Sequence, residues 1–135
     1  MLMKQIIKWG HQHPKELFKI DGIGAIISAV LLGFVLVHFE ELFGIPKSTL
    51  YFLALLPCFF ACYDFYCYFR VDKKLKYFLK GIAFVNLSYC FLSIGLTFYH
   101  KNSVTALGWV YIFAESFIVI LLAVLELKIA ESQNI

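Results

Sequence analysis

Four long apolar stretches, separated by short polar or Gly- and Pro-bearing links, fill most of the 135-residue chain. They run over about Ile20–His38, Leu50–Phe69, Gly81–Tyr99 and Val104–Leu125. Each is close to the ~20 residues that an α-helix needs to cross a ~30 Å hydrocarbon layer. Backbone groups in lipid must be satisfied within the segment, so each stretch predicts a transmembrane helix. The strands of a membrane barrel would be shorter and would alternate in polarity. Gly44 and Pro46 break the chain before span two, with Ser48 placed to cap it, and Asn102 or Ser103 can cap span four. The link Tyr99–Ser103 is short enough to make spans three and four antiparallel neighbours. The expected fold class is therefore all-α: a polytopic membrane protein with an antiparallel bundle of four transmembrane helices over 20–127. A basic segment, 1–19, precedes the bundle, and a tail, 128–135, follows it.

Composition agrees: 61% of residues are hydrophobic and 16% charged, against roughly 45–50% and ~25% in soluble domains. No link is long enough to hold a soluble domain. About 20 largely polar residues precede the first stretch and no small-x-small site follows it, so span one is expected to be retained rather than cleaved. Cys58, Cys62, Cys67 and Cys90 all fall inside predicted spans, which argues against a disulfide framework; buried Cys behaves as a small hydrophobe.

Positive charge sets the expected orientation. Lys4, Lys8, Lys15 and Lys19, then Arg70, Lys73, Lys74, Lys76 and Lys80, then Lys128 fall on one side of an alternating four-span topology, and only Lys47 and Lys101 on the other. This places both termini on the cytoplasmic side of the membrane. In the N-terminal segment, Leu2, Met3, Ile6 and Ile7 share a face opposed by Lys4 and Lys8, a pattern suited either to an interfacial helix on anionic lipid or to a frayed basic tail.

Acidic residues interrupt this picture. Asp64 lies inside span two and Glu115 in the middle of span four, with no Lys or Arg at comparable depth. A carboxylate at such depth costs roughly 2.5–3.5 kcal/mol on the insertion scale, so an intramembrane acid is a lead to function. Span three carries a polar stripe of Asn86, Tyr89, Cys90, Ser93 and Thr97; span one brings Asp21, Gly24, Ala25 and Ser28 to one side; span four aligns Gly108, Tyr111, Glu115, Leu122 and Glu126. At about 1.5 Å per residue, Glu115, Tyr89 and Cys90 share mid-membrane depth, Asn86 and Ser28 lie slightly nearer the cytoplasm, Asp64 is about 7 Å from the inner boundary, and Asp21 is at it. The candidate proton-, cation- or ligand-binding residues are thus Glu115, Asn86, Tyr89, Asp64, Ser28, Asp21, Tyr111 and Cys90, with no catalytic set among them.

Two readings of this column compete. In one, Glu115 alternates between a neutral form and an ionised form with a bound cation, with Asn86 and Tyr89 as hydrogen-bond partners, Asp64 as a relay and Pro57 bending span two. In the other, the same groups fix helix register in a structural or assembly subunit; interhelical bonds of this kind average about 0.6 kcal/mol. His38 and His100 end spans on the outer side and suit interfacial positions better than haem ligation. Cys58 and Cys62 lack the C-x-x-C spacing of dithiol oxidoreductases. No phosphate loop, metal motif or nucleophile–base pair is present, so neither cofactor nor metal is expected and an enzyme is the less favoured class. The expected partners are the lipid bilayer and either further copies of the chain or another membrane protein, because four spans enclose little interior; no nucleic acid is expected.

The run Asp21-Gly22-Ile23-Gly24-Ala25 opening span one, with Asn86-Leu87-Ser88-Tyr89-Cys90 in span three, resembles small four-span bacterial integral membrane proteins of uncharacterised function. The resemblance implies the fold and brings no activity. Neither a central Glu in span one, as in known small transporters, nor a fluoride-channel signature occurs.

Overall fold

Apolar runs of this length fold as helices because nothing else satisfies their backbone in lipid. The computed structural model describes residues 2–133, which form α1 (Leu2–Gln12), α2 (Pro14–Val30, continued by a π-helical stretch, Leu31–Leu36), the short α3 (Glu40–Phe43), α4 (Lys47–Arg70), α5 (Leu75–Tyr99) and α6 (Ala106–Ser132). No strand occurs among the described residues. Four of these segments, Pro14–Leu36, Lys47–Arg70, Leu75–Tyr99 and Ala106–Ser132, are long and apolar enough to span a membrane. The chain is an all-α, polytopic protein.

Successive spans reverse direction. At one end, Lys15 of α2 pairs with Asp72 after α4, Gly22 packs against Asp64 and Phe65, and Gly10 of α1 packs against Ile129 of α6. At the other end, Thr49 Oγ1 lies 3.2 Å from His100 Nε2, Ser103 Oγ donates to the Gly44 carbonyl at 2.9 Å, and the Thr105 N–H donates to the Phe43 carbonyl at 3.1 Å. The two helix pairs α2–α4 and α5–α6 pack most extensively, and contact between the pairs is sparser. Small residues allow the first pair its close approach: a Cβ on Gly22 would meet the Phe65 ring at 2.9 Å, and one on Gly33 would meet Ala54 at 3.3 Å.

Apolar clusters fill both ends of the bundle. Leu17, Phe18, Cys67, Val71, Leu79, Ile82, Ile129 and Ala130 form one. Leu32, Leu36, Ile45, Leu50, Leu53, Ala54, Tyr89 and Ile112 form the other. The first cluster explains why the first span starts earlier than its hydropathy indicates. Lys15, Glu16 and Lys19 dilute the sequence signal, yet Leu17 and Phe18 between them are buried. Pro14 therefore opens the span, at the helix position where its missing N–H costs nothing. Pro14 and the lysines behind it thus belong to the first span rather than to a separate segment ending at residue 19. Span four likewise runs on through Ser132, past the start of the expected tail; Met1, Asn134 and Ile135 lie outside the described residues.

The caps also differ from the expected ones. Glu40 Oε2, not Ser48, accepts the Lys47 N–H at 3.0 Å, and Thr105, not Asn102 or Ser103, accepts the Gly108 N–H at 3.2 Å. Gly44 ends α3 at φ +73°, in the left-handed region where only glycine is unstrained.

Candidate functional site

Between the two apolar clusters the bundle holds most of its buried polar groups. They come from one face of each span. On α6, Glu115 and Glu126 are eleven residues apart, three helical turns and about 16 Å along one face. On α5, Asn86 and Tyr89 are one turn apart, and both are buried. Asp21 comes from α2 and Asp64 from α4, and both are buried.

Glu115 is held from two sides. Tyr89 Oη donates to its Oε1 at 2.8 Å, and Tyr111 Oη, four residues earlier on α6, donates to its Oε2 at 2.9 Å. Ser28 of α2 lines the same cavity as this carboxyl. Asn86 does not join this group. Its Nδ2 donates to Asp21 Oδ1 at 2.8 Å and to Glu126 Oε1 at 3.2 Å, tying α5 to α2 and α6. The expected Asn86–Glu115 bond is therefore replaced by an Asn86 bridge one turn nearer the basic end. Both neighbours of the amide are acceptors, which fixes its orientation with the NH₂ toward them.

Asp64 stands behind Asp21. The Asp64 Cβ lies 3.2 Å from where a Cβ on Gly22 would sit, and one amide, that of Asn86, brings the Asp21 and Glu126 carboxyls together. Neither oxygen of Asp64 has a partner, and Asp21 Oδ2 and Glu126 Oε2 are also buried without one. Carboxylates only accept, so gathering them in this way calls for a shared proton or an intervening cation. Among the described residues no group of three His, Cys, Asp or Glu is spaced to hold a metal ion. The only ion pair among them, Lys15–Asp72, is on the surface, away from all four buried acids.

A cavity of about 340 Å³ joins the two acidic levels. Glu115, Tyr89, Tyr111 and Ser28 line one part and Asn86 and Asp21 another; Pro57 and Phe60 of α4 form its back wall. Pro57 cannot donate to the Leu53 carbonyl, so α4 is locally free to bend there. Six of the eight residues proposed from the sequence thus meet at one space. The other two do not reach it. Asp64 is sealed behind Asp21, and Cys90 turns its thiol to the Ser116 carbonyl of α6 at 3.7 Å. None of the tyrosines near Asp64 in sequence bonds to it; Tyr63 donates instead to the Phe78 carbonyl at 2.8 Å.

Glu126, which is fully buried, is absent from the candidate set although the sequence aligns it with Glu115. A span boundary at Leu125 left it outside by one residue. Its eleven-residue spacing from Glu115, which returns to the same helix face, was the available signal. Compared with protein-family models, with curated proteins and with solved structures, the chain finds no match.

Proposed function

We propose that this chain is a bacterial inner-membrane protein, with both termini cytoplasmic, whose central cavity binds a proton or cation together with a small solute and carries them as a non-enzymatic transporter or binding protein. One observation supports this most directly: apart from the Ser28 hydroxyl, the polar groups facing the cavity have spent their donors. Tyr89 and Tyr111 each use their single hydroxyl proton on Glu115, and both protons of the Asn86 amide go to Asp21 and Glu126. What is left to a ligand is acceptor capacity, on carboxyls without a basic partner. Such a lining suits a proton, a cation or a hydrogen-bond donor.

The orientation rests on the charge count. All ten of the Lys and Arg residues on the side assigned to the cytoplasm belong to the end where α2 begins, α4 gives way to α5 and α6 ends. Single cysteines introduced by Lys47→Cys and Leu75→Cys, in a chain freed of its native cysteines, are expected to react with an impermeant maleimide from opposite sides; equal reaction from outside defeats the assignment.

The activity is tested in proteoliposomes containing a pH-sensitive dye. Wild-type protein is expected to admit protons under an imposed potential, and Glu115→Gln, which keeps hydrogen bonding but cannot ionise, to lose at least about tenfold of that flux, the effect of one ~1.4 kcal/mol term. Flux that survives Glu115→Gln unaltered rejects the proposal. The structural-subunit reading is favoured by the Asn86 bridge, which links three helices. It gains ground if Glu115→Gln changes assembly and nothing else.

A further inference from the structure

The cavity is not closed on all sides. Behind its opening lie Glu115 and Tyr89, only 8% and 4% exposed. At the opening lie Gly24 and Ile27 of α2 and Ala114 and Ile118 of α6, all exposed on the outer surface of the bundle, Ile118 to 64% and Ile27 to 54%. A Cβ placed on Gly24 would meet no atom within 4 Å, so the gap beside it is open. Helices α2 and α6 touch each other little, because each packs chiefly on its own partner, α4 or α5. The rim is wholly apolar and lies in the middle third of both spans, the depth of lipid tails rather than headgroups. A solute dissolved in water would have to cross hydrocarbon to reach it. A molecule dissolved in the bilayer would meet it directly.

We infer that the cavity is loaded sideways from the lipid, through the gap between α2 and α6, and that its ligand is a lipid-soluble amine: a single alkyl chain with an ammonium or amine head. This rests on the reading of the cavity as a ligand site and supplies its substrate class. The head is fixed by complementarity. The cavity is lined by the Glu115 and Asp21 carboxyls at its two levels, with no Lys or Arg on its wall. A phosphate or carboxylate head would meet like charge and, apart from the Ser28 hydroxyl, acceptors only. An ammonium brings three donors and the opposite charge. The tail follows from size and wall. About 340 Å³ is at the small end of ligand pockets. It takes the head and the first part of a chain, leaving the remainder to run out past Ile27 and Ile118 into lipid. Leu31, Val119 and Leu122 give that first part an apolar wall.

The test uses the full chain in phosphatidylcholine nanodiscs and three photoreactive probes sharing one dodecyl chain with a mid-chain diazirine, headed by an amine, a hydroxyl or a phosphate. The amine probe is expected to label the segments around Gly24–Ile27 and Ala114–Ile118 saturably, and the phosphate probe not to. Glu115→Gln should weaken the amine's half-saturation by about tenfold or more, the loss expected of one charge-assisted hydrogen bond. Ala114→Phe, at an exposed position on the rim, should block labelling while leaving helical content and monodispersity unchanged. Three results overturn the inference: equal labelling by amine and phosphate, labelling indifferent to both substitutions, or dimers cross-linked through cysteine at position 118, which would show a second copy seated on this face. If the amine fails while Glu115-dependent proton flux persists, sideways amine loading is wrong and the proposed function stands. If Glu115→Gln also leaves the flux unchanged, both fall.

Discussion

Asn86 is the one residue whose removal reports on the donor shortage itself. It is 5% exposed and donates one amide proton to Asp21 on α2 and the other to Glu126 on α6. Asn86→Leu removes both bonds with little change in volume. Interhelical hydrogen bonds in membrane proteins average about 0.6 kcal/mol and reach about 1.7, so two of them amount to about 1–3 kcal/mol. Leu is itself favoured in hydrocarbon by about 0.3–0.6 kcal/mol, which offsets part of this. The expected net loss is about 1–2 kcal/mol, close to a tenfold fall in the folding equilibrium. Asn86→Asp should be worse than Leu at neutral pH, because it places a further acceptor among Asp21, Asp64 and Glu126. The measurement is reversible unfolding in mixed micelles followed by helical circular dichroism. An Asn86→Leu protein as stable as wild type, or an Asp variant more stable than the Leu one, would refute the view that Asn86 supplies scarce donors to buried carboxyls.

Four further substitutions test the fold around the site by the same unfolding measurement. Gly44→Ala is expected to cost at least about 1–2 kcal/mol, since φ +73° is strained for any residue with a Cβ and that Cβ would run into the Ser103 carbonyl; a neutral outcome would exclude this turn geometry. Gly22→Val should cost about 1–3 kcal/mol by forcing Phe65 and Asp64 away from α2. Gly24→Val, two residues on and facing open space, should stay within about 0.5 kcal/mol of wild type, and equal losses at the two glycines would disprove the α2–α4 packing. Lys74→Gly is expected to stabilise by up to about 1 kcal/mol, because Lys74 opens α5 at φ +60°; a destabilised variant would count against that backbone conformation.

The number of spans, and the assembly of six of the eight proposed site residues at one cavity, could be read from hydropathy and helical spacing. In lipid those two signals carry most of the physics. The failures have a common cause: hydropathy weighs a residue without knowing what covers it. Lys15 and Lys19 made the start of α2 look like a surface segment, although Leu17 and Phe18 between them are core. Glu126 aligns with Glu115 but falls one residue past the expected end of span four, although it is fully buried and bonded to Asn86. Depth set Tyr89 level with Glu115, and the two do bond; Asn86, expected as a second partner, lies one turn nearer the basic end and bonds to Asp21 and Glu126 instead. Cys90 matched the stripe in spacing, yet its thiol finds a backbone carbonyl on the tightly packed α5–α6 side instead of the cavity.

The balance of donors and acceptors also separates the two readings of the column. A network that served only to hold helices in register would match each acceptor with a donor, since an unmatched buried oxygen costs about 1–3 kcal/mol and contributes nothing to packing. Here four carboxyls present eight oxygens. Four of these accept the bonds from Asn86, Tyr89 and Tyr111. The other four, on Asp21, Asp64 and Glu126, are buried with no partner. Replacing Asp64 by an apolar residue would remove two of these orphans at once without breaking any side-chain hydrogen bond it makes. The excess is therefore poorly explained by register. Of these four oxygens only that of Asp21 belongs to a residue lining the cavity, so in our proposal the oxygens of Asp64 and Glu126 are met by protons held among the carboxyls, and only the Asp21–Glu115 lining is left to a ligand's head.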